Sequence, residues 1–128
     1  MTINELCKKA HENAVKHGWW DSERSFAEQI ALMHSELSEA LEVAREGIEE
    51  TEIYYSCKHK ECEEYKDGYC CMPYGCEKGK PEGIPIELAD CVIRIFDTCG
   101  KYGIDLEKAI NLKMQYNKTR PYKHGKAF

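Results

Sequence analysis

The segment Ile30-Ala-Leu-Met-His-Ser-Glu-Leu-Ser-Glu-Ala-Leu41 decides the fold, because its apolar residues recur at the three- and four-residue spacing of a helix. One stripe of this helix holds Ile30, Met33, Leu37, Leu41 and Ala44, and it is widened by Leu32, Ala40 and Val43. Glu36 and Glu39 fall inside the wider arc, whereas the polar side carries Glu28, Ser35, Glu42 and Glu46. A carboxylate among apolar residues is costly unless it is paired or bound to a cation. Glu36 and Glu39 are therefore candidate metal ligands.

A second acidic pair lies in Ile84-Pro-Ile-Glu-Leu-Ala-Asp-Cys-Val-Ile-Arg-Ile95, where Glu87 and Asp90 repeat the same three-residue spacing. The alternative is a solvent-exposed polar stripe with local ion pairs, Asp90 with Arg94 and Asp97 with Lys101. The presence of two such pairs on two largely apolar helices favours metal ligands over a solvent-exposed stripe. Together they offer four carboxylates to a shared Mg²⁺ site, with Mn²⁺ as an alternative ion.

The remaining patterns predict an all-α fold of four helices. The first spans about residues 2–16, and the second runs from 24 to 45 after a cap at Asp21 or Ser22. The third begins near Pro85 and ends before Gly103, and the fourth follows a cap at Asp105 and ends near residue 118. Val and Ile nowhere alternate with polar residues for long enough to predict a sheet.

An irregular Cys-rich insert, residues 48–82, separates the second and third helices. A structural Zn²⁺ would order such a long loop, and it needs four ligands. The candidates are Cys57, His59, Cys62, Cys70, Cys71 and Cys76. Disulfides and a free loop remain open alternatives. Cys7, Cys91 and Cys99 are interpreted instead as small buried apolar residues.

The fourth helix and the basic tail, residues 119–128, indicate an anion site. Leu106, Ala109 and Ile110 define an inner face, and Lys113 and Asn117 continue it. Arg120, Lys123, His124 and Lys126 follow, and such donors suit phosphate oxygens. The alternatives are a Lys113 side chain that reaches back to solvent and a disordered tail.

Length and charge limit the function classes. The chain has 128 residues and a net charge of −5, which fits one domain over 1–128 and argues against a nucleic-acid binder. No apolar run is long enough to span a bilayer, and the N-terminus lacks the apolar stretch of a signal peptide. We therefore expect a cytoplasmic protein with reduced thiols and without membrane or nucleic-acid partners.

The ordered set of segments resembles the MazG-like branch of the all-α nucleoside triphosphate pyrophosphohydrolases, over roughly residues 1–47 and 83–125. The segment Asn111-Leu-Lys-Met-Gln-Tyr-Asn-Lys-Thr-Arg-Pro-Tyr122 is similar to the substrate segment of that family. The resemblance implies a four-helix bundle completed in a homodimer or homotetramer. It also implies that Glu36, Glu39, Glu87 and Asp90 bind Mg²⁺, and that the triphosphate is bound by Lys113, Asn117 and Arg120, with Tyr116, Lys123 and His124 in supporting roles.

The implied reaction is hydrolysis of a (deoxy)nucleoside triphosphate to the monophosphate and pyrophosphate. Glu39 is a candidate acceptor of the water's proton, and Trp20 is a candidate for stacking on the base, with core packing as the alternative for Trp20. His11 is expected to be a structural histidine. The competing function is a non-catalytic helical interaction module in which the zinc-stabilised insert binds a partner.

Overall fold

The computed structural model describes residues 1–56, 65–66, 69–70 and 79–128. The described part is mostly helical, as predicted. It has four α-helices, which are α1 (Ile3–Lys16), α2 (Phe26–Arg45), α3 (Ile84–Tyr102) and α4 (Leu106–Lys118). A 3₁₀ turn, Tyr122–Gly125, follows α4. None of the helices in the described ranges is both long enough and apolar enough to cross a membrane.

A small four-stranded antiparallel sheet also forms, which the sequence patterns do not predict. Its strands are β1 (Tyr54–Ser56), β2 (Tyr65–Lys66), β3 (Tyr69–Cys70) and β4 (Lys80–Glu82), in the order β2-β3-β1-β4. Tyr54 pairs with Glu82, and Ser56 pairs with both Lys80 and Tyr69. The 48–82 insert is therefore not irregular throughout, because its described residues include these strands.

The chain divides into two compact units, 1–23 with 95–128 and 24–94. In the first, α1 and α4 cap each other at their N-termini. Asn4 Nδ2 donates to Asp105 Oδ1, and Asn4 Oδ1 accepts from the Glu107 backbone N–H. In return Glu107 Oε1 accepts from the Ile3 backbone N–H. These bonds satisfy helix-end donors that otherwise have no partner within their own helix.

Within the same unit, Cys7 of α1 and Cys99 of α3 are buried and hydrogen-bonded through their thiols. Burial is the main cause that raises the pKa of both thiols, which keeps them protonated. Cys91, in the other unit, is buried as well, and all three are free thiols. The prediction that these three residues serve as small core residues is confirmed.

In the second unit, residues 24–94, α2 is capped by Ser25, whose Oγ accepts from the Glu28 N–H. The predicted caps, Asp21 and Ser22, are wrong. Ser25 and Glu28 form the S-x-x-E pattern of a helix start, so this correction was available in the sequence. On α3, Gly83 leads directly into the first turn and its carbonyl accepts from the Ile86 and Glu87 N–H groups.

Candidate metal centre

The acidic pairs of α2 and α3 converge within the 24–94 unit. One carboxylate oxygen from each of Glu36, Glu39 and Glu87 lies within 4.8 Å of the others. Glu36 is only 7% exposed, Glu87 is half-buried and Glu39 is exposed. Three oxygen ligands at this separation fit a hard divalent cation such as Mg²⁺, and the exposed Glu39 side is open to solvent.

Two carboxyl groups of the cluster, Glu87 and Asp90, have raised pKa values. Burial, a hydrogen bond with Glu39 and the negative charges of Glu39, Asp90 and Glu36 raise the pKa of Glu87 from 4.5 to about 7. The pKa of Asp90 is also raised, first by burial and then by Glu36, and Lys80 and Arg94 oppose part of this rise. Asp90 therefore belongs electrostatically to the same cluster, although it is not one of the three that converge most closely.

Arg94 joins the two helices at this cluster. Its Nε donates to Glu36 Oε1 at 2.6 Å, and the Glu36 side chain is almost fully covered. The exposed-stripe alternative had Arg94 paired with Asp90 on its own helix. Sequence reasoning missed the Glu36 contact, since the only signal was a basic residue on the acidic stripe of α3.

Three residues of the polar stripe of α3 are less exposed than the apolar residues beside them. Glu87, Asp90 and Arg94 are partly buried, whereas Leu88, Ala89, Val92 and Ile93 on the same helix are exposed. A fully solvent-exposed stripe would have shown the opposite order of exposure at these positions. On α2 the buried face likewise holds Glu36 and Ala40, and the apolar positions Ile30, Leu37 and Leu41 are exposed.

The predicted phosphate-binding residues lie in the other unit, on α4 and after it. Lys113 Nζ and Arg120 Cζ lie 5.1 and 5.7 Å from the centroid of the Tyr116 ring. Two predicted phosphate-binding cations therefore lie near the ring of a third predicted residue, Tyr116. Lys113 is exposed, so its assignment to an inner face of α4 is wrong for the single chain, in which α4 has no buried residue.

The other predicted positions of this group are also exposed. Asn117 lies on the last turn of α4, and Lys123 and His124 lie in the 3₁₀ turn. Lys123 Nζ is 5.7 Å from the centroid of the Tyr122 ring. Lys123 and His124 both have a φ of 52°, a left-handed backbone that is uncommon outside glycine.

Trp20 takes part in a polar cluster with α1 and α3. Its Nε1 and His11 Nδ1 both lie 2.8 Å from Asp97 Oδ1, and the His11 ring meets the Trp20 ring edge to face. Lys101 Nζ lies 5.2 Å from the centroid of the Trp20 ring. The bond to Asp97 gives His11 the partner expected of a structural histidine. Asp97 bonds to His11 and Trp20, not to Lys101 as in the exposed-stripe alternative.

Most of the candidate zinc ligands lie outside the described residues. These are Cys57, His59, Cys62, Cys71 and Cys76. Cys70 lies in β3, where its backbone pairs with Tyr65. The zinc site stays a prediction from the sequence.

The chain matches no protein-family model, no curated protein and no solved structure.

Proposed function

We propose that the chain is a Mg²⁺-dependent pyrophosphohydrolase of the MazG-like type, which hydrolyses a (deoxy)nucleoside triphosphate to the monophosphate and pyrophosphate. The observation that carries this proposal is the convergence of Glu36, Glu39 and Glu87 from two helices, with Glu36 buried and Glu87 half-buried. Carboxylates placed this close together repel one another, and a divalent cation bound between them would relieve that repulsion.

The residues divide the chemistry between them. Glu36, Glu39 and Glu87 would hold the ion, and Asp90 is the fourth candidate ligand. When bound, Mg²⁺ supplies positive charge to phosphate oxygens. Glu39 is the most exposed carboxylate of the three, and it is the best placed to accept the proton of an attacking water. The bond that breaks is a phosphoanhydride, and pyrophosphate leaves.

Cationic side chains would bind the phosphate charge. Lys113, Tyr116 and Arg120 already form one group in which both cations lie near the aromatic ring. Asn117, Lys123 and His124 would add donors, and Arg120 offers the planar fork that suits phosphate. Trp20 is a weak candidate for base stacking. Its indole N–H is bound to Asp97, and the Lys101 ammonium lies against its ring.

A substrate panel tests the proposal. The purified chain would be incubated with Mg²⁺ or Mn²⁺ and each common and modified (deoxy)nucleoside triphosphate, and pyrophosphate release would be measured. We expect release from one or a few nucleotides, and a loss of roughly 100-fold or more in Glu36→Gln. Glu42→Gln is the matched control, because Glu42 lies on the same helix but is exposed and pairs with Arg45 at 3.6 Å.

Two outcomes would contradict the proposal. One is the absence of pyrophosphate release with either ion and every nucleotide. The other is full activity in Glu36→Gln, which would separate any hydrolysis from this cluster. The first result would favour the interaction module, in which the insert binds a partner.

We also propose a structural Zn²⁺ in the insert, held by four ligands drawn from its five cysteines and His59. Thiolates and imidazole bind Zn²⁺ in a tetrahedral site, and five such cysteines occur within 57–76. Zinc content of the purified full chain, measured by atomic spectroscopy, tests this directly. One zinc per chain that is lost in a Cys57→Ser and Cys62→Ser double variant is expected, and a zinc-free folded chain would refute it.

The proposed enzyme is a homodimer or homotetramer. The support is the set of exposed apolar side chains on α2 and α3, which are Ile30, Leu37, Leu41, Leu88, Val92 and Ile93. Apolar residues that recur on exposed helix faces are typical of association surfaces.

A further inference from the structure

Glu36 is the most buried carboxylate of the acidic cluster, and Arg94 is bonded to it. Glu36 is 7% exposed, and the Arg94 Nε lies 2.6 Å from its Oε1. A buried carboxylate with acidic neighbours requires a positive partner. The Arg94 guanidinium provides such a partner.

We propose that Arg94 is an internal counter-ion of the acidic site, which neutralises Glu36 until a divalent cation binds and then releases that oxygen. This inference rests on the proposed function, because it needs a cation at the cluster. It goes beyond that function by assigning a role to a residue that is neither a metal ligand nor a predicted substrate contact.

The geometry places the two cations in competition. A metal ion shared by Glu36, Glu39 and Glu87 must lie within reach of oxygens that are less than 4.8 Å apart. Glu36 Oε1 is one hydrogen bond away from the guanidinium, so both cations would lie within a few ångströms of each other and repel. The Arg94 side chain is 35% exposed, which leaves it a route into water when the metal arrives.

The charges around the pair favour this role for Arg94 over a purely structural one. Glu39, Glu87 and Asp90 add negative charge on the same side, and Lys80 of β4 acts on Asp90. The cluster therefore contains more negative charge than one guanidinium neutralises. When a divalent cation takes the place of Arg94 beside Glu36, the guanidinium can move into water and is not left buried without a partner.

Metal binding to the full chain tests the proposal. The Kd for Mn²⁺ would be measured by titration calorimetry, and checked by the loss of the free-ion signal in electron paramagnetic resonance. In Arg94→Gln we expect Mn²⁺ to bind about tenfold more tightly, because a hydrogen bond to a charged group no longer competes. Arg45→Gln is the matched control, since Arg45 on α2 pairs with exposed Glu42, and its Kd should stay within about twofold of wild type.

A second variant covers the case in which Arg94→Gln folds poorly without metal. Arg94→Lys keeps a positive charge but loses the guanidinium, so we expect its Kd to fall by a smaller factor. For both variants, unfolding in a chelator should begin at a lower temperature than for wild type. Addition of Mn²⁺ should raise their melting temperatures by more than it raises that of wild type.

The outcomes separate the inference from the function on which it rests. If wild type binds Mn²⁺ and both Arg94 variants bind it equally or more weakly, Arg94 serves only to position Glu36 and the counter-ion role is wrong. If wild type binds no Mn²⁺, the metal centre itself is refuted, and the inference with it.

Discussion

Glu36 and Glu87 carry carboxyl groups in the same cluster, and the structure compensates their charge in different ways. Glu36 is neutralised by the Arg94 guanidinium. Glu87 is compensated by a proton, since burial and its hydrogen bond with Glu39 raise its pKa to about 7. The cluster thus has one fixed cation at Glu36 and a carboxyl group at Glu87 that holds its proton up to about neutral pH. A divalent ion would replace both, which makes its binding sensitive to pH.

The first prediction concerns that pH dependence. A metal ion binds the deprotonated carboxylate, so Mn²⁺ affinity should increase between pH 6 and pH 7, by up to about tenfold per pH unit, and level off above pH 7 to 8. The measurement is calorimetric Kd at pH 6, 7 and 8. An affinity that does not change over this range would show that Glu87 releases no proton on binding.

The same group affects stability without metal in the opposite direction. The pKa of Glu87 is higher in the folded chain, about 7, than its ordinary value of 4.5. Its contribution to stability is therefore complete below about pH 4.5 and is lost as pH rises through 7. In a chelator, the melting temperature should be lower at pH 8 than at pH 6, and adding Mg²⁺ should restore more of it at pH 8. Glu87→Gln, which cannot titrate, should reduce this pH dependence.

At the scale of elements, the junction between β4 and α3 fixes the position of the second acidic pair. Gly83 has a φ of 123°, and a Cβ built there would lie 2.3 Å from the backbone oxygen of Glu52. Only glycine fits this close approach between the β4–α3 junction and the segment before β1. Glu87 and Asp90 follow within two turns, so a shift of this junction would move them relative to α2.

We therefore predict that Gly83→Ala weakens both the fold and the metal site. The strained φ and the backbone clash should cost about 1–3 kcal/mol of unfolding free energy. The readouts are urea denaturation and the Kd for Mn²⁺, which should increase. Gly47→Ala is a useful comparison, because Gly47 has a φ of 83° but nothing within 4 Å of a built Cβ. It should lose stability through the backbone alone and leave metal affinity unchanged.

The helices could be predicted from the sequence, and the strands could not. Apolar spacing and helix-end residues placed all four helices close to their observed bounds, including the Asp105 cap, whose side chain accepts from the Lys108 N–H. The strands have two or three residues each, which is too short for an alternating pattern to appear. Their pairing, such as Ser56 with Lys80, depends on contacts between distant parts of the chain.

The candidate site was predictable in part for a similar reason. The three-residue spacing of each acidic pair is a local property, so the sequence could identify Glu36 with Glu39 and Glu87 with Asp90 as sets. The partner of Arg94 is not local, since Glu36 lies 58 positions away. Helix spacing instead favours Asp90, four residues away, as the partner of Arg94, because spacing identifies only neighbours on the same helix.

At the scale of the whole molecule, the apolar stripes of α2 and α3 can be predicted from the sequence, but the surface that covers them cannot. When an apolar stripe is too wide for one neighbouring helix to cover, part of it stays exposed in a single chain. Leu41 of α2 is 62% exposed, and Val92 and Ile93 of α3 are also exposed. Burial of such side chains yields roughly 1.5–3 kcal/mol each, so several of them together can support association.

The last prediction is that the chain is an oligomer and that α2 contributes to its interface. Leu41→Glu would place a charge in that contact, so sedimentation velocity should show wild type as a dimer or tetramer and the variant shifted toward monomer. Leu112→Glu is the matched control, because Leu112 of α4 is similarly exposed, at 58%, and its substitution should leave the oligomer intact. A monomeric wild-type chain at micromolar concentration would refute association. Dissociation caused by Leu112→Glu alone would instead place the interface on α4.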